Sequence, residues 1–399
     1  MKAVGAVLAV IVAVIALTMV IIPMVNDLGS HEGGPDVRTE WQYDDYRPVS
    51  GDVVSAIGAL EIVDVGGTSY IHAKAVGDGT LVRSDWSMET VTVKRAVLDL
   101  IYIDGQSNAA QNTQDLTTAP VPLPGTAYYF GSEDRYAVAG RISSQEDLDT
   151  AVTGQLDTWS FQSMVDGSGA VRIGDKAPGI AKAYYERTGH RVYIVDGAVP
   201  GSPVRYHIPE STSDVTNWSW QWAVLTLERA LASVDDTLYE IVETGIDLWL
   251  QGESDARFTS AAYIKYWKQY HTGAVGGLLG IPVTNIVICL IANVTDESGT
   301  VNAALVELAE TYEDVTIGAS AAGFTVENGK LNPEDSLHYT QKGDDIIGEE
   351  WGRSAAKIVK DRTPDTGGKS PEEKILGLLP VIIVAVIVIF LGSVAVKKS

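Results

Sequence analysis

Residues 97–108 read VLDLIYIDGQSN, an apolar run that ends in a polar turn containing glycine. A short apolar run bounded by a turn signal is typical of a strand that is buried on both faces, as in a parallel sheet. The turn would place Ser107 at the carboxyl end of this strand, the edge at which α/β proteins bind their ligands. The backbone N–H of Ser107 would then be available to a bound molecule as a hydrogen-bond donor.

Downstream of this turn, short apolar runs alternate with helical segments, an order that predicts a parallel sheet with helical connections. The predicted strands are residues 97–103, 191–195, 246–250, 285–292 and 315–317. The predicted helices are residues 176–187, 220–234, 261–271, 301–312 and 343–360. We therefore expect residues 96–360 to form an α/β domain, a three-layer α/β/α sandwich on a mostly parallel sheet of about five strands.

Upstream of this domain, the pattern changes to short β-like runs separated by glycine turns. Residues 59–63 and 69–73 flank the pair Gly66-Gly67, and Gly77-Asp78-Gly79 follows. Such glycines are a hairpin signal, so we expect a small antiparallel β unit of about two to four strands. With the polar stretch that precedes it, this unit makes residues 26–95 a stalk and small β unit.

Both ends of the chain carry long apolar segments without charges, residues 3–25 and 375–396. Each is long enough to cross the hydrocarbon core of a bilayer as a helix, so we expect two transmembrane helices. A cleavable signal peptide is the alternative for the first segment, although its apolar run is long for such a peptide. The Pro- and Gly-containing stretch 361–374 would link the domain to the second helix.

Positive charges at the two tips set the expected topology. Lys2 precedes the first apolar segment, and Lys397 and Lys398 follow the second, which favours the cytoplasm, or the interior of a virion, for both tips. The central domain would then be displayed outside a cell or virion envelope. The lipid bilayer would be bound through both termini.

The overall composition excludes several classes of partner and site. With 52 acidic and 29 basic residues the formal net charge is −23, which would repel a phosphate backbone, so we expect no nucleic-acid partner. The single cysteine, Cys289, excludes internal disulfides and Cys-based zinc sites. The six histidines form no HxxxH or HxH pair, so no metal site is predicted. The composition is compatible with an oligomer.

Two further polar segments stand where a site would form. Residues 249–255 read WLQGESD directly after a predicted buried strand, and residues 335–338 read DSLH just before the last predicted helix. An aspartate three residues before a histidine in one turn can bind the imidazole Nδ1 and fix its tautomer. Ser107, His338 and Asp335 together would supply a nucleophile, a general base and an orienting carboxylate.

These three segments, in this order, resemble the sequence blocks of the SGNH-hydrolase superfamily. GQSN at 105–108 is similar to its nucleophile block, residues 249–255 to a W-x-Q-G-E-x-D block, and DxxH at 335–338 to its last block. Within the superfamily, the chain is most similar to the sialate O-acetylesterase and acetylxylan-esterase type of carbohydrate esterase. The resemblance covers residues 96–360 and implies a flavodoxin-like SGNH fold and an esterase that needs no metal or cofactor.

The resemblance also implies an oxyanion hole. Its donors would be the backbone N–H groups of Ser107 and Gly201 and the side chain of Gln251. Pro200 stands where the family usually has a first glycine, so the local backbone geometry departs from that of the family. Gly201 still provides the backbone N–H that the oxyanion hole would use.

Three polar residues next to these groups would support the site. Asn108 follows the nucleophile, and Glu253 and Asp255 lie in the second block. Glu253 either holds the loop of Gln251, which we favour, or provides a second carboxylate near His338.

The sequence thus predicts a membrane-anchored, externally displayed serine esterase whose partner is an O-acetylated glycan. The alternative is a catalytically silent display protein, on a cell surface or a virion, that binds a glycan or another partner with the same fold. His207 is interpreted as structural, with a place in the pocket lining as the alternative. Trp218, Trp220 and Trp222 are interpreted as core residues rather than as a platform for sugar stacking.

Overall fold

The computed structural model describes residues 40–110, 116–132, 135–136, 141–210, 216–255, 257–294 and 296–362. The predicted membrane spans at 3–25 and 375–396 lie outside these ranges. Within the described ranges, no helix is both long and apolar enough to cross a bilayer. Glu40–Arg362 forms one compact unit.

Seven short strands precede the strand that leads to Ser107. In chain order they are β1 (Trp41–Gln42), β2 (Tyr46–Pro48), β3 (Val53–Gly58), β4 (Leu60–Val65), β5 (Thr68–Ala73), β6 (Gly77–Arg83) and β7 (Met88–Lys94). They form two sheets, in the orders β1-β7-β6-β3 and β2-β5-β4. Every pair is antiparallel except β1 with β7. Gly66 and Gly67 form the β4–β5 turn with φ of 59° and 78°, as their pairing in the sequence predicts.

Buried polar contacts join these two sheets to the rest of the unit. The Tyr128 hydroxyl donates a hydrogen bond of 2.5 Å to the Asp44 carboxylate. The Arg191 side chain is only 3 % exposed, and its guanidinium donates to the Tyr43 carbonyl oxygen and to the Asp45 carboxylate. Because a buried guanidinium is costly without partners, these contacts hold residues 43–45 against the main sheet.

The main sheet contains eight strands in the described residues. They are β8 (Ala96–Gly105), β9 (Ala127–Ser132), β10 (Arg135–Tyr136), β11 (Ser160–Ser163), β12 (Arg191–Asp196), β13 (Tyr239–Leu250), β14 (Asn285–Leu290) and β15 (Val315–Ser320). Their order is β10-β9-β12-β8-β13-β14-β15, with β11 also paired to β9. Neighbours from β9 to β15 in this order run parallel, whereas β10 and β11 pair with β9 in antiparallel fashion.

The predicted fold class is therefore wrong. In place of a mostly parallel sheet of about five strands with a small β unit, the chain has a mixed eight-stranded sheet and two further strand-rich sheets. The described residues are not a three-layer sandwich on one parallel sheet. The error arises because short edge strands with few apolar residues, such as SFQS in β11, carry no strong local signal.

The helix after the DSLH segment is fixed firmly at its start. The α-helices of the described residues are α1 (Gln145–Ala151), α2 (Ala177–Thr188), α3 (Trp218–Ala232), α4 (Ser260–Val275), α5 (Asp296–Thr311) and α6 (Gln341–Arg362). The Gln341 amide bonds the backbone N–H of Asp175 at 2.8 Å and its carbonyl oxygen at 3.0 Å. Lys176 Nζ, buried beside them, lies 3.0 Å from Asp344 Oδ1. These contacts set the position of the segment just before α6, which includes His338.

His72 makes the stability of the N-terminal sheets sensitive to pH. Its Nε2 lies 2.9 Å from Asp44 Oδ1 and its Nδ1 lies 3.0 Å from Glu61 Oε1. Burial acts to lower the pKa of His72, but the hydrogen bonds to the two carboxylates outweigh it, so the pKa is raised. A raised pKa means that the stabilisation is complete below the pKa of an unfolded histidine, about 6.5, and is lost as the pH rises through the folded value.

We expect His72→Gln to destabilise the chain by about 1–2 kcal/mol at pH 6 and by less at pH 9. Urea denaturation of both chains across this range measures the difference. The hydrogen bond from His72 lowers the pKa of Glu61, so a change in the difference above pH 6 reports the imidazole. A difference that stays constant from pH 6 to pH 9 would contradict the assignment of a charged His72.

Candidate active site

The ends of β8 and β13 bring the first two motif segments together. In the register of these parallel strands, Gly105 stands opposite Leu250, and the Gln106 N–H donates to the Leu250 carbonyl oxygen at 3.1 Å. Gly105 has a φ of +140°, and a Cβ at this position would lie 1.9 Å from the Leu250 oxygen. Only glycine fits this turn. Residues 106–108 and 251–255 therefore leave the sheet at the same edge.

The side chain of Asn108 attaches the third segment to this edge. Its Nδ2 donates to the Leu337 carbonyl oxygen at 3.2 Å, and its Oδ1 accepts from the Tyr339 N–H at 3.2 Å. Both backbone neighbours of His338 are thus bound by the residue that follows Ser107. The structure brings Ser107, which is partly exposed, and His338 to the same small region.

Asp335 contacts His338 directly. The Asp335 Oδ2 atom lies 2.8 Å from His338 Nδ1, and its Oδ1 accepts from the N–H groups of Leu337 and His338 at 2.9 Å each. Partial burial acts to raise the pKa of Asp335, but the hydrogen bonds from the His338 side chain and from the two N–H groups outweigh it, so the pKa is lowered. The imidazole is held through Nδ1, so Nε2 is the atom left for proton transfer.

Glu253 joins all three segments. Its Oε2 accepts from Gln106 Nε2 at 2.7 Å, and its Oε1 accepts from Asn108 Nδ2 at 2.6 Å. The Tyr339 hydroxyl lies 3.4 Å from Oε1. Burial raises the pKa of Glu253, and the hydrogen bond from Asn108 acts in the opposite direction. These partners suit the supporting role that the sequence favours for Glu253, while Asp335 occupies His338 Nδ1.

The Gln251 side chain is fully buried and turns toward the loop of Ser202. Its Nε2 lies 3.1 Å from the Ser202 carbonyl oxygen and also donates to the Asp255 carboxylate. Burial raises the pKa of Asp255 to about 6, and its Oδ2 accepts from the Val204 N–H at 2.8 Å. Gln251 and Asp255 therefore fix residues 202–204. The Gln251 amide N–H groups point at the Ser202 carbonyl oxygen and the Asp255 carboxylate. A direct role of this amide as an oxyanion donor stays a prediction.

Gly201 lies exposed on the same loop. Its φ is +71°, and a Cβ added there would meet only Arg141 Cδ, at 3.9 Å. The loop is bound to the turn of Ser107 because the Val199 N–H donates to the Gly105 carbonyl oxygen at 3.0 Å. Backbone pairing thus places the Gly201 loop beside the turn of Ser107. The substitution by Pro200 leaves the N–H of Gly201 in place.

Two interpretations of isolated aromatic and histidine residues are now settled by burial. Trp220 and Trp222 are 5 % and 0 % exposed and belong to the main core, and Trp218 packs against that core, so the three are core residues. His207 is 0 % exposed and lies behind the Gly201 loop. It contacts Ser202 and Asp104, to which sequence reasoning gave no role. The signal in the sequence was the position of Asp104 directly before the turn of Ser107.

Among the residues that the structure describes, no group of three His, Cys, Asp or Glu side chains is arranged to hold a metal ion. The side chains brought together at the strand ends are instead a hydroxyl, an imidazole and carboxylates. Such a set is equipped for proton transfer and nucleophilic attack.

No family model and no curated protein match the chain. Among solved structures, it is similar to a protein from Arabidopsis thaliana, with 16 % identity over 65 % of this chain and 98 % of that chain and a TM-score of 0.42. It is similar to a carbohydrate acetylesterase from Xanthomonas citri, with 14 % identity, coverages of 80 % and 72 % and a TM-score of 0.41. For NanS the identity is 11 %, the coverages are 67 % and 98 %, and the TM-score is 0.44. Carbohydrate esterases are therefore among its structural neighbours, at a distance from which activity has to be argued from the side chains alone.

Proposed function

We propose that this protein is a serine esterase that removes O-acetyl groups from glycans. The observation that carries the proposal is the pair of hydrogen bonds between the Asn108 side chain and the backbone on either side of His338. Asn108 Nδ2 donates to the Leu337 carbonyl oxygen and Asn108 Oδ1 accepts from the Tyr339 N–H, at 3.2 Å each. These contacts set an imidazole that is already bound to Asp335 beside the turn of Ser107. A nucleophile, a base and an orienting group in one place are the requirements for acyl transfer.

In the proposed reaction, Ser107 Oγ attacks the acetyl carbonyl carbon and passes its proton to His338 Nε2. Asp335 holds the tautomer and stabilises the imidazolium. Collapse of the tetrahedral intermediate breaks the bond to the sugar oxygen, which takes the proton from His338. Water then attacks the acetylated Ser107, with His338 again accepting and returning a proton, and acetate leaves.

The negative oxygen of the tetrahedral intermediate needs donors. The proposed donors are the backbone N–H groups of Ser107 and Gly201, while Gln251 acts by holding the Ser202 carbonyl oxygen and so the Gly201 loop. Each well-placed donor is typically worth about 10²–10³ in rate. No cofactor enters any of these steps.

The choice of an acetylated glycan rests on the resemblance of the three motif segments to sialate O-acetylesterase and acetylxylan-esterase sequences. Membrane attachment through residues 3–25 and 375–396, with the central domain outside, stays a prediction of the sequence. External display suits a glycan substrate that does not cross a bilayer.

One experiment addresses activity and display together. Intact cells that express the full chain receive a panel of acetylated polysaccharides too large to enter, and released acetate is measured before and after lysis. We expect release from intact cells and covalent labelling of Ser107 by a fluorophosphonate. Release only after lysis would refute external display. Binding of a glycan with neither hydrolysis nor labelling would favour the silent display protein instead.

A further inference from the structure

A second Ser-His-Asp group, formed by Ser202, His207 and Asp104, is buried next to the proposed active site. Ser202 Oγ is 2.8 Å from His207 Nε2, and His207 Nδ1 is 3.2 Å from Asp104 Oδ1. The three side chains are 2 %, 0 % and 0 % exposed. No ester can reach Ser202 without opening the core, so this group has a task other than nucleophilic attack.

The hydrogen positions follow from the partners of the Ser202 hydroxyl. Its Oγ lies 2.7 Å from the Val199 carbonyl oxygen and 3.5 Å from that of Gly105, and both are acceptors only. Because a hydroxyl has one hydrogen, Ser202 donates it to Val199 and accepts from His207. The Nε2 atom of His207 therefore carries a hydrogen.

The other ring nitrogen lies beside a carboxylate. His207 Nδ1 is 3.2 Å from Asp104 Oδ1 without the alignment of a hydrogen bond, and Asp104 Oδ1 accepts from the Gly105 N–H at 2.6 Å. This contact packs the imidazole against the residue that precedes Gly105.

The groups around this pair are mainly acidic and aromatic. Burial and the nearby Asp104 raise the pKa of Asp247, whose Oδ2 accepts from the Tyr270 hydroxyl at 2.6 Å. Asp255, on the far side, is close enough for His207 to oppose the effect of burial on its pKa. The titratable, charged and aromatic groups packed around His207 and its partners are Asp104 and Tyr102 on β8, Asp247 and Trp249 on β13, Asp255 and Arg205 in the two adjoining turns, and Tyr270 on α4.

We propose that His207 is a positioning residue of this esterase, which holds the Gly201 N–H in place for the oxyanion through its hydrogen bond to Ser202 and its packing against Asp104. Ser202 follows Gly201 directly, and Asp104 ends the strand that leads to Ser107. The group therefore joins the loop of one oxyanion donor to the strand of the nucleophile. The inference rests on the proposed function, because an oxyanion forms only if the ester is attacked.

The first test compares His207→Gln with the unaltered full chain on an aryl acetate. The glutamine amide can still donate to Ser202 Oγ but lacks the ring that packs against Asp104 and Trp249. We expect kcat to fall by about 10²-fold with little change in KM, because a misplaced donor weakens binding of the transition state rather than of the ester. His271→Gln is the matched control, since His271 also binds a carboxylate, Asp314, at 2.9 Å, outside the site.

A thionoester of the same alcohol distinguishes a misplaced oxyanion donor from a general loss of folded enzyme. Sulfur is a weak hydrogen-bond acceptor, so N–H donors assist the oxoester far more than the thionoester. The ratio of the two rates should shrink in His207→Gln. A loss of folded enzyme would lower both rates equally and leave the ratio unchanged. If His207→Gln does not fold, Ser202→Ala makes the same test, because it cuts the link to the loop and keeps the His207–Asp104 pair.

The hydrogen on the His207 ring is located in the unaltered chain. Nitrogen-15 spectra of labelled histidines, with His207 assigned through its contact with the Trp249 ring, should show a hydrogen on Nε2, the atom that donates to Ser202. An Nε2 atom without a hydrogen, or a variant with unchanged kcat and rate ratio, would overturn the inference. A chain that hydrolyses neither ester would refute the proposed function, while the spectra would still report the Nε2 hydrogen.

Discussion

Ser107→Ala is expected to remove esterase activity almost completely, with a fall in kcat of about 10⁶-fold, as found when the nucleophile of a catalytic triad is lost. The reason is chemical, because alanine offers no oxygen to attack the carbonyl and His338 then has no proton to accept. Initial rates with an aryl acetate, measured on the full chain, give the value. The melting temperature should hardly change, since the removed hydroxyl belongs to a partly exposed side chain.

Ser84→Ala serves as the matched control. Ser84 lies exposed in the turn between β6 and β7, outside the three motif segments, and its loss should leave kcat unchanged. If Ser107→Ala retains more than about one-hundredth of the unaltered rate, the measured hydrolysis does not pass through Ser107.

Asp335→Asn is expected to lower kcat by about 10⁴-fold, because the amide favours the wrong tautomer of His338. Stability should change little, since both side chains of the pair keep 40 % of their surface exposed and solvent screens their attraction. Initial rates and thermal denaturation of the same preparation separate the two effects. The expected signature is an inactive protein with a nearly unchanged melting temperature.

Glu253→Gln is the companion to this variant and should behave in the opposite way. Gln106 and Asn108 both donate to the two carboxylate oxygens, so a glutamine must present its own NH₂ to one of them. We expect a loss of about 1–3 kcal/mol of stability and a smaller loss of rate. An inactive Glu253→Gln beside a nearly normal Asp335→Asn would mean that Glu253, and not Asp335, orients His338.

The proximity of the three motif segments could be predicted further from the sequence than the fold could. The turn at Gly105 and the WLQGESD segment each follow a buried apolar run, and parallel strands place such ends at one edge. The contact between Asp335 and His338 is local, because it lies within one turn of chain. The direction of the Gln251 amide was not predictable, since it depends on Ser202, which is distant in sequence and adjacent only after folding.

The fold was mispredicted where strand pairing is not encoded locally. Gly77 and Gly79 were expected to mark a turn, yet both lie in β6. A Cβ on Gly79 would lie 2.6 Å from Leu60 Cγ, so this glycine permits a close approach between β6 and the start of β4. The strand β9 is aromatic and buried, but its antiparallel partners β10 and β11 are short and polar. Although β10 pairs locally, Arg135 with Ser132, the pairing of β11 joins residues far apart in sequence, such as Ser160 and Gly131.

The turn at Gly105 has a consequence for how this protein would change over generations. The demand for glycine comes from the carbonyl oxygen of Leu250, 1.9 Å from where a Cβ would stand, and from a φ of +140°, not from any step of catalysis. A descendant that lost its chemistry would be free to drift at Ser107, His338 and Asp335 but would have to keep Gly105 to preserve the pairing of β8 with β13. Among descendants of this chain, Gly105 would therefore be kept wherever the fold is kept, whereas Ser107 would be kept only where the activity is kept.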